Sequence, residues 1–155
     1  MTRINCVDPC LLLDQHLIAE YRELPRIFAH ARALKPKEEV ERYRLGSGHV
    51  RFFYPRTGFL AQRQRELISE CLRRGFQISH HTAPDPIEGL DDDWTPTVED
   101  QRVNLERLCA KLDERPAWYR LRGDLAPPDH YRNIMELLAV KAAQASKAAS
   151  GVDDL

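Results

Sequence analysis

Arg22, Glu23 and Arg26 place one carboxylate among two guanidinium groups inside the stretch AEYRELPRIF. On a helix, spacings of three and four bring Glu23 beside Arg26 and Arg22 beside Arg26. Two readings are open. The group is either an exposed ion pair worth at most about 1 kcal/mol, or a charged cluster with a task. An exposed pair leaves Pro25 unexplained, since a proline removes a backbone donor, crowds the carbonyl of Tyr21 and costs about 3 kcal/mol in a helix interior. A second candidate is Trp118 with Tyr119 amid Arg115, Arg120 and Arg122. Those residue types suit base stacking with phosphate contacts, and core packing of Trp118 fits them equally well.

Other chemistry-bearing residues point to less. GSGH at 46–49 lacks the Lys-Ser/Thr of a phosphate-binding loop and does not lie between a strand and a helix, so it reads as a turn. His80 and His81 adjoin Asp85 without a third residue at ligand spacing, and read as surface histidines. The four cysteines, 6, 10, 71 and 109, form no CxxC pair, which favours incidental or buried thiols. Charge is uneven along the chain. Residues 1–80 hold fourteen Lys and Arg against nine Asp and Glu; residues 81–155 hold nine against fifteen. Arginine dominates the basic half, and its planar fork suits phosphate oxygens. A solvated surface with acidic loops explains the balance; a basic face for a polyanion is the sharper reading.

Positioning these residues requires helices. Leu17, Tyr21, Leu24 and Phe28 recur at helical spacing, which predicts a helix from about Asp14, its N-cap, to Ala33, bent at Pro25. HVRFFYP reads as a short extended piece or a turn. TGFLAQRQRELISECLRRGF is the clearest helix, with Phe59, Leu60, Leu67, Ile68, Cys71 and Leu72 on one face, Arg63, Arg65, Arg73 and Arg74 opposite, and Gly75 as its stop. An acidic, proline-bearing loop follows. TVEDQRVNLERLCAKLDERP predicts a third helix with Thr97 as cap and Asp100 completing a loose capping box. Residues from Asp129 to about Ala149 predict a fourth, alanine-rich helix with a disordered end. The expected fold is all-α: a compact single domain of about three core helices with long loops, plus an extra C-terminal helix.

A length of 155 residues fits one core. No apolar run approaches the roughly 20 residues of a membrane span, and CLLLDQH meets a charge after three leucines, unlike a signal peptide. The expected setting is the cytoplasm, without a membrane partner.

Five segments, in order, carry a specific likeness: MTRIN at the N-terminus, DQHLIAEYRELPR at 14–26, GSGHVRFFY at 46–54, RQRELISECLRRGF at 63–76 and RPAWY at 115–119. Together they resemble the phage T4 endonuclease V family of pyrimidine-dimer DNA glycosylases over residues 1 to about 123, with a shortened connection before Gly46. The resemblance implies an all-α enzyme without metal or cofactor that cuts the glycosylic bond of the 5′ base of a cyclobutane pyrimidine dimer, then nicks the abasic site by β-elimination. It implies that the nucleophile is the α-amine of Thr2, exposed when Met1 is removed, and that Glu23 is the essential acid. It also implies DNA contacts from Arg3, Gln15, His16, Arg22 and Arg26, from Arg107 and Lys111, and from Trp118 and Tyr119. Where the phage member continues with aromatics and a lysine, this chain has RLRGDL, leaving Arg120 and Arg122 as candidate phosphate contacts. The expected division is a glycosylase/lyase domain at 1–124 and a helical extension at 125–155. The extension has no counterpart in the resemblance, so a packed helix and a partner contact both stay open. The expected partner is double-stranded DNA carrying pyrimidine dimers or abasic sites, and the expected species a monomer. Two alternatives stand beside this: the same machinery with another lesion preference, and a non-catalytic helical DNA-binding module.

Overall fold

The computed structural model describes residues 3–33 and 39–152. Its first long helical segment is two helices, α1 (Asp14–Glu23) and α2 (Pro25–Ala33), with Leu24 between them. Pro25 opens α2, where its missing N–H and fixed φ cost nothing. Leu17, Tyr21, Leu24 and Phe28 are all buried, so both helices face one core. After residues 34–38, part of the charged connection and outside the described residues, come the short helix α3 (His49–Phe53), α4 (Thr57–Arg73) and α5 (Val98–Glu114). A two-stranded hairpin follows, β1 (Arg120–Leu121) against β2 (Asp124–Leu125), and then α6 (His130–Val152). The fold is all-α, and this hairpin and one isolated bridge, Arg56 to Asp91, are the β-pairings among the described residues.

Contacts follow the apolar stripes. α1 lies against α4, α2 and β1, and α6 against α5. Leu60, Leu67, Ile68 and Cys71 of α4 and Leu105, Leu108 and Leu112 of α5 belong to the same core, and Gly75 ends α4 with φ +79°. The capping box at the start of α5 forms in both directions, Thr97 Oγ1 accepting from Asp100 N and Asp100 Oδ2 from Thr97 N. α6 packs through its first turns only: Tyr131 is wholly buried and Ile134, Met135 and Leu138 partly so, while Leu137 and Val140 are exposed.

Several local expectations are corrected. HVRFF, open in sequence between an extended piece and a turn, forms a short helix: Gly48, at φ +88°, supplies the left-handed turn that starts α3, a conformation that other residues adopt only under strain. Asp14 is the first residue of α1 rather than its cap. Its carboxylate instead accepts from Arg74 Nη1, Arg122 N and Gly123 N, tying α4 and the hairpin turn to α1. Arg63 and Arg74 do not line an outer face of α4. Arg63 is buried on Glu20 at 2.7 Å, and Arg74 on Asp14 and Glu70, each at 2.9 Å, so two cations of the basic half are consumed inside. Leu72 is exposed rather than in the core face. No described helix is long and apolar enough to cross a membrane.

Candidate active site

The break at Leu24 has a local cause and a remote remedy. Pro25 cannot donate to the carbonyl of Tyr21, and that carbonyl instead accepts from Gln64 Nε2 of α4 at 3.1 Å. The chain therefore passes Leu24, which keeps helical φ −54° and ψ −44°, with the Tyr21 carbonyl satisfied. Glu23 ends α1 here and is half-buried, with Arg22 and Arg26 exposed on either side.

The N-terminal segment lies in the interior. Ile4, Asn5, Cys6 and Val7 are buried, and side chains pin several of their backbone groups. Ile4 N donates to His49 Nε2 at 2.9 Å, and His49 Nδ1 donates to Arg44 O at 2.8 Å. An imidazole that must accept at Nε2 is neutral with its proton on Nδ1. Burial agrees, pushing His49 down to about 4, with Arg3 and Arg107 acting in the same direction. Cys6 N donates to Asn104 Oδ1 at 2.8 Å and Cys6 O accepts from Gln101 Nε2. Asn104 Nδ2 donates to Asn5 Oδ1, Asn5 Nδ2 donates to Glu20 Oε1, and Arg63 closes the network on Glu20 and on the Val7 carbonyl. Glu20 and Arg63 are both almost wholly buried, and removing either partner would strand a charge, typically at a cost of about 3–5 kcal/mol. Thr2 lies outside the described residues; its neighbour Arg3 is half-buried.

Arg107 of α5 links the two parts. Burial holds its guanidinium below the ordinary arginine range and the Arg3 cation adds to this, while Tyr43, Tyr119 and Glu23 pull the other way. Arg3, Glu23, Tyr119 and Arg107 thus share one electrostatic neighbourhood. His16 of α1 joins it: burial first, then electrostatic repulsion from the side of Arg107, His130 and Lys111, brings His16 down to about 4. Its ring lies 4.7 Å from that of Tyr119 and its Nδ1 2.7 Å from the Tyr131 hydroxyl. The arrangement offers one carboxylate, two flanking arginines at the surface and a partly sunken cationic group, a combination fitted to a polyanionic substrate with one acid placed to move protons.

The remaining candidates spread along the hairpin. Gln15 clasps β1 in both directions, donating to Trp118 O at 2.7 Å and accepting from Arg120 N at 2.9 Å, which sets the segment beside α1. Trp118 is 48% exposed and carries Arg115 4.5 Å from its ring centroid, so core packing does not hold it; Tyr119 is buried beside it. Arg120 is exposed. Arg122, at φ +50° in the hairpin turn, points its guanidinium towards α4, 3.9 Å from Glu70. Sequence reasoning missed His49, Asn5, Asn104, Glu20 and Arg63. The one available signal was polar residues at apolar positions of amphipathic helices, Glu20, Arg63 and Asn104 among them. Among the described residues no group of three or more His, Cys, Asp or Glu is placed to hold a metal ion.

A family model described as pyrimidine dimer DNA glycosylase matches residues 1–83, just over half of the chain. The matched part contains the N-terminal segment, the α1–α2 junction and His49; Arg107, Lys111 and the 118–122 hairpin lie beyond it.

Proposed function

Because the chain belongs to the pyrimidine dimer DNA glycosylase family of DNA repair enzymes, we propose that it excises the 5′ base of cyclobutane pyrimidine dimers and then nicks the strand as a lyase. The observation that carries this reading is the placement of Glu23, half-buried at the end of α1 directly before Pro25 and flanked by the exposed Arg22 and Arg26.

The α-amine of Thr2, freed when Met1 is removed, is the nucleophile. An α-amine has an ordinary pKa of about 7.7–8.0 against about 10.4 for lysine, so far more of it is unprotonated at neutral pH. Its nitrogen forms a bond to C1′ of the sugar as the bond from C1′ to the base nitrogen breaks, and the base leaves with the bonding pair. The nitrogen gives up a proton, the ring oxygen takes one as the sugar opens, and the product is an imine. Glu23 faces the cationic carbon of the transition state and carries these protons. The imine acidifies C2′; loss of a proton there expels the 3′ phosphate, and water releases the amine. The buried anchors of Ile4, Asn5 and Cys6 serve this chemistry by limiting how far the amine can wander, which matters because misplacement by about 1 Å costs about 100-fold.

Arg22, Arg26, Arg3, Arg107 and Lys111 grip phosphates, and Trp118 with Arg120 extends the surface along the strand. Reaching C1′ requires kinking the duplex and expelling a base, and a lesion that already weakens stacking lowers that cost. Arg122, turned towards Glu70, is the weakest of the proposed contacts.

The test is cleavage of matched duplexes carrying a cyclobutane dimer, an abasic site or no lesion. The dimer duplex is expected to be cut with both base release and strand nicking. Nicking of abasic DNA with no preference for the dimer would replace this reading by the same machinery on another lesion; no cleavage of either would leave a DNA-binding module.

A further inference from the structure

On the reading that this chain grips lesion DNA, we propose that Tyr131 of α6 is a positioning residue. Its phenol fixes His16 in the Nε2–H tautomer, so that the imidazole keeps a covered, uncharged donor that a phosphodiester oxygen meets once bound DNA uncovers it. Tyr131 comes from the C-terminal extension, beyond the residues that the family model matches, and the proposal gives that extension a task at the site.

The hydrogen bonds around Tyr131 allow two assignments. Its hydroxyl accepts from Leu13 N at 2.9 Å and lies 2.7 Å from His16 Nδ1. If the phenol donates to Nδ1, the imidazole proton sits on Nε2, and Nε2–H is the one group left over. If Nδ1–H donates to the phenol instead, the phenol hydrogen and the Nε2 lone pair are both left without a partner. Unmade bonds in a buried place are costly, so the assignment with one orphan prevails over that with two. The orphan is visible: His16 Nε2 is shielded from solvent and has no hydrogen-bond partner among the described residues. Native proteins leave few such groups, and each calls for a reason.

Its surroundings supply one. The His16 ring lies against Tyr119, and the charges that bear on it are Arg107 and Lys111 from α5 and His130 from α6, all cationic or capable of becoming so. A protonated imidazole would add a further positive charge to that group; a neutral one adds a directed donor without it. Arg107 and Lys111 are the residue types that hold phosphate, and a phosphodiester oxygen drawn to them is an acceptor for Nε2–H. Tyr131 itself is wholly buried and touches no DNA on this reading; it acts through His16.

The experiment uses the full chain in four forms: wild type, Tyr131→Phe, His16→Gln and the double variant. Nitrogen-15 NMR of the free protein reads the His16 tautomer, expected as Nε2–H in the wild type and as a mixture or Nδ1–H in Tyr131→Phe. Affinity is read with a duplex carrying a tetrahydrofuran abasic analogue. Tyr131→Phe is expected to weaken binding about fivefold. In the His16→Gln background, whose amide donates without help from Tyr131, the same change is expected to alter it less than about twofold. A wild-type Nδ1–H tautomer, no loss in Tyr131→Phe, or equal losses in both backgrounds overturns the proposal, the last marking a role in packing alone. Should Tyr131→Phe not fold, His16→Gln against His16→Leu decides: the donor is upheld if only the leucine variant loses affinity. A wild type that does not prefer the abasic analogue contradicts the functional reading instead, and the tautomer, read without DNA, still reports on the Tyr131–His16 pair.

Discussion

A carboxylate can act as an acid and a base on a sugar only if it is held still and kept near the charge that it serves. In the proposed mechanism that carboxylate is Glu23, the last residue of α1, half-buried beside Pro25. Replacing it with glutamine keeps size and hydrogen-bonding capacity and removes the charge. Glu23→Gln is expected to lower single-turnover base release by about 100-fold or more, the scale of a lost acid–base group. Affinity for lesion DNA should change little, because the guanidinium groups that grip phosphate remain. Turnover kinetics beside equilibrium binding check this; a variant as fast as the wild type would remove Glu23 from the chemistry. The Arg-Glu-x-x-Arg group was legible in the sequence as chemistry-bearing, because charge and spacing are local. The residues that support it were not. Asn104 meets Asn5 and Cys6 across almost a hundred positions, and nothing in the stretch around Asn104 marks it as more than a polar residue on an amphipathic helix.

Among the elements, the α1–α2 junction carries the most information. The sequence predicts a bend at Pro25 and the buried stripe on both sides of it, since helical periodicity and a missing N–H are properties of a few adjacent residues. It does not predict Gln64, whose amide takes over the Tyr21 carbonyl from the far side of the core. The two are expected to be coupled. Gln64→Leu strands the carbonyl and should cost about 1–3 kcal/mol of stability. Pro25→Ala restores a backbone donor, and in that background Gln64→Leu should cost less than about 0.5 kcal/mol, a coupling that urea denaturation of the four proteins measures. Additive costs would mean that the proline and the glutamine are independent. α3 stayed undecided between an extended piece and a turn for the opposite reason: five residues rich in aromatic and β-branched types carry no clear period, and Gly48 and the packing of Phe52 and Phe53 make them a helical turn.

The whole molecule hides part of its basic composition. The excess of arginine over residues 1–80 looked like a surface for a polyanion, yet Arg63 and Arg74 are interior cross-links, and the candidate DNA face draws on Arg107 and Lys111 from the acidic half. Buried neutral histidines make the fold sensitive to acid. His16 and His49 both drop from an ordinary 6.5 to about 4 in the folded chain. Between those values the unfolded chain binds more protons, so stability falls as pH drops from about 6.5 towards 4, by on the order of 3 kcal/mol for each histidine. Above about pH 7 they contribute no slope. Urea unfolding from pH 7.5 to 4.5 measures the decline, and a variant carrying His16→Gln and His49→Gln should show a shallower one; equal slopes would mean that neither histidine is buried neutral. In the proposed mechanism, fold and function are joined by the amine at residue 2. Met1-free protein should be incubated with abasic-site duplex and sodium borohydride, and the product digested and mapped by mass. The expected result is a covalent protein–DNA adduct on the N-terminal peptide, attached at the α-amine of Thr2 and lost when Met1 is retained. No adduct, or one carried on a lysine, would contradict the mechanism.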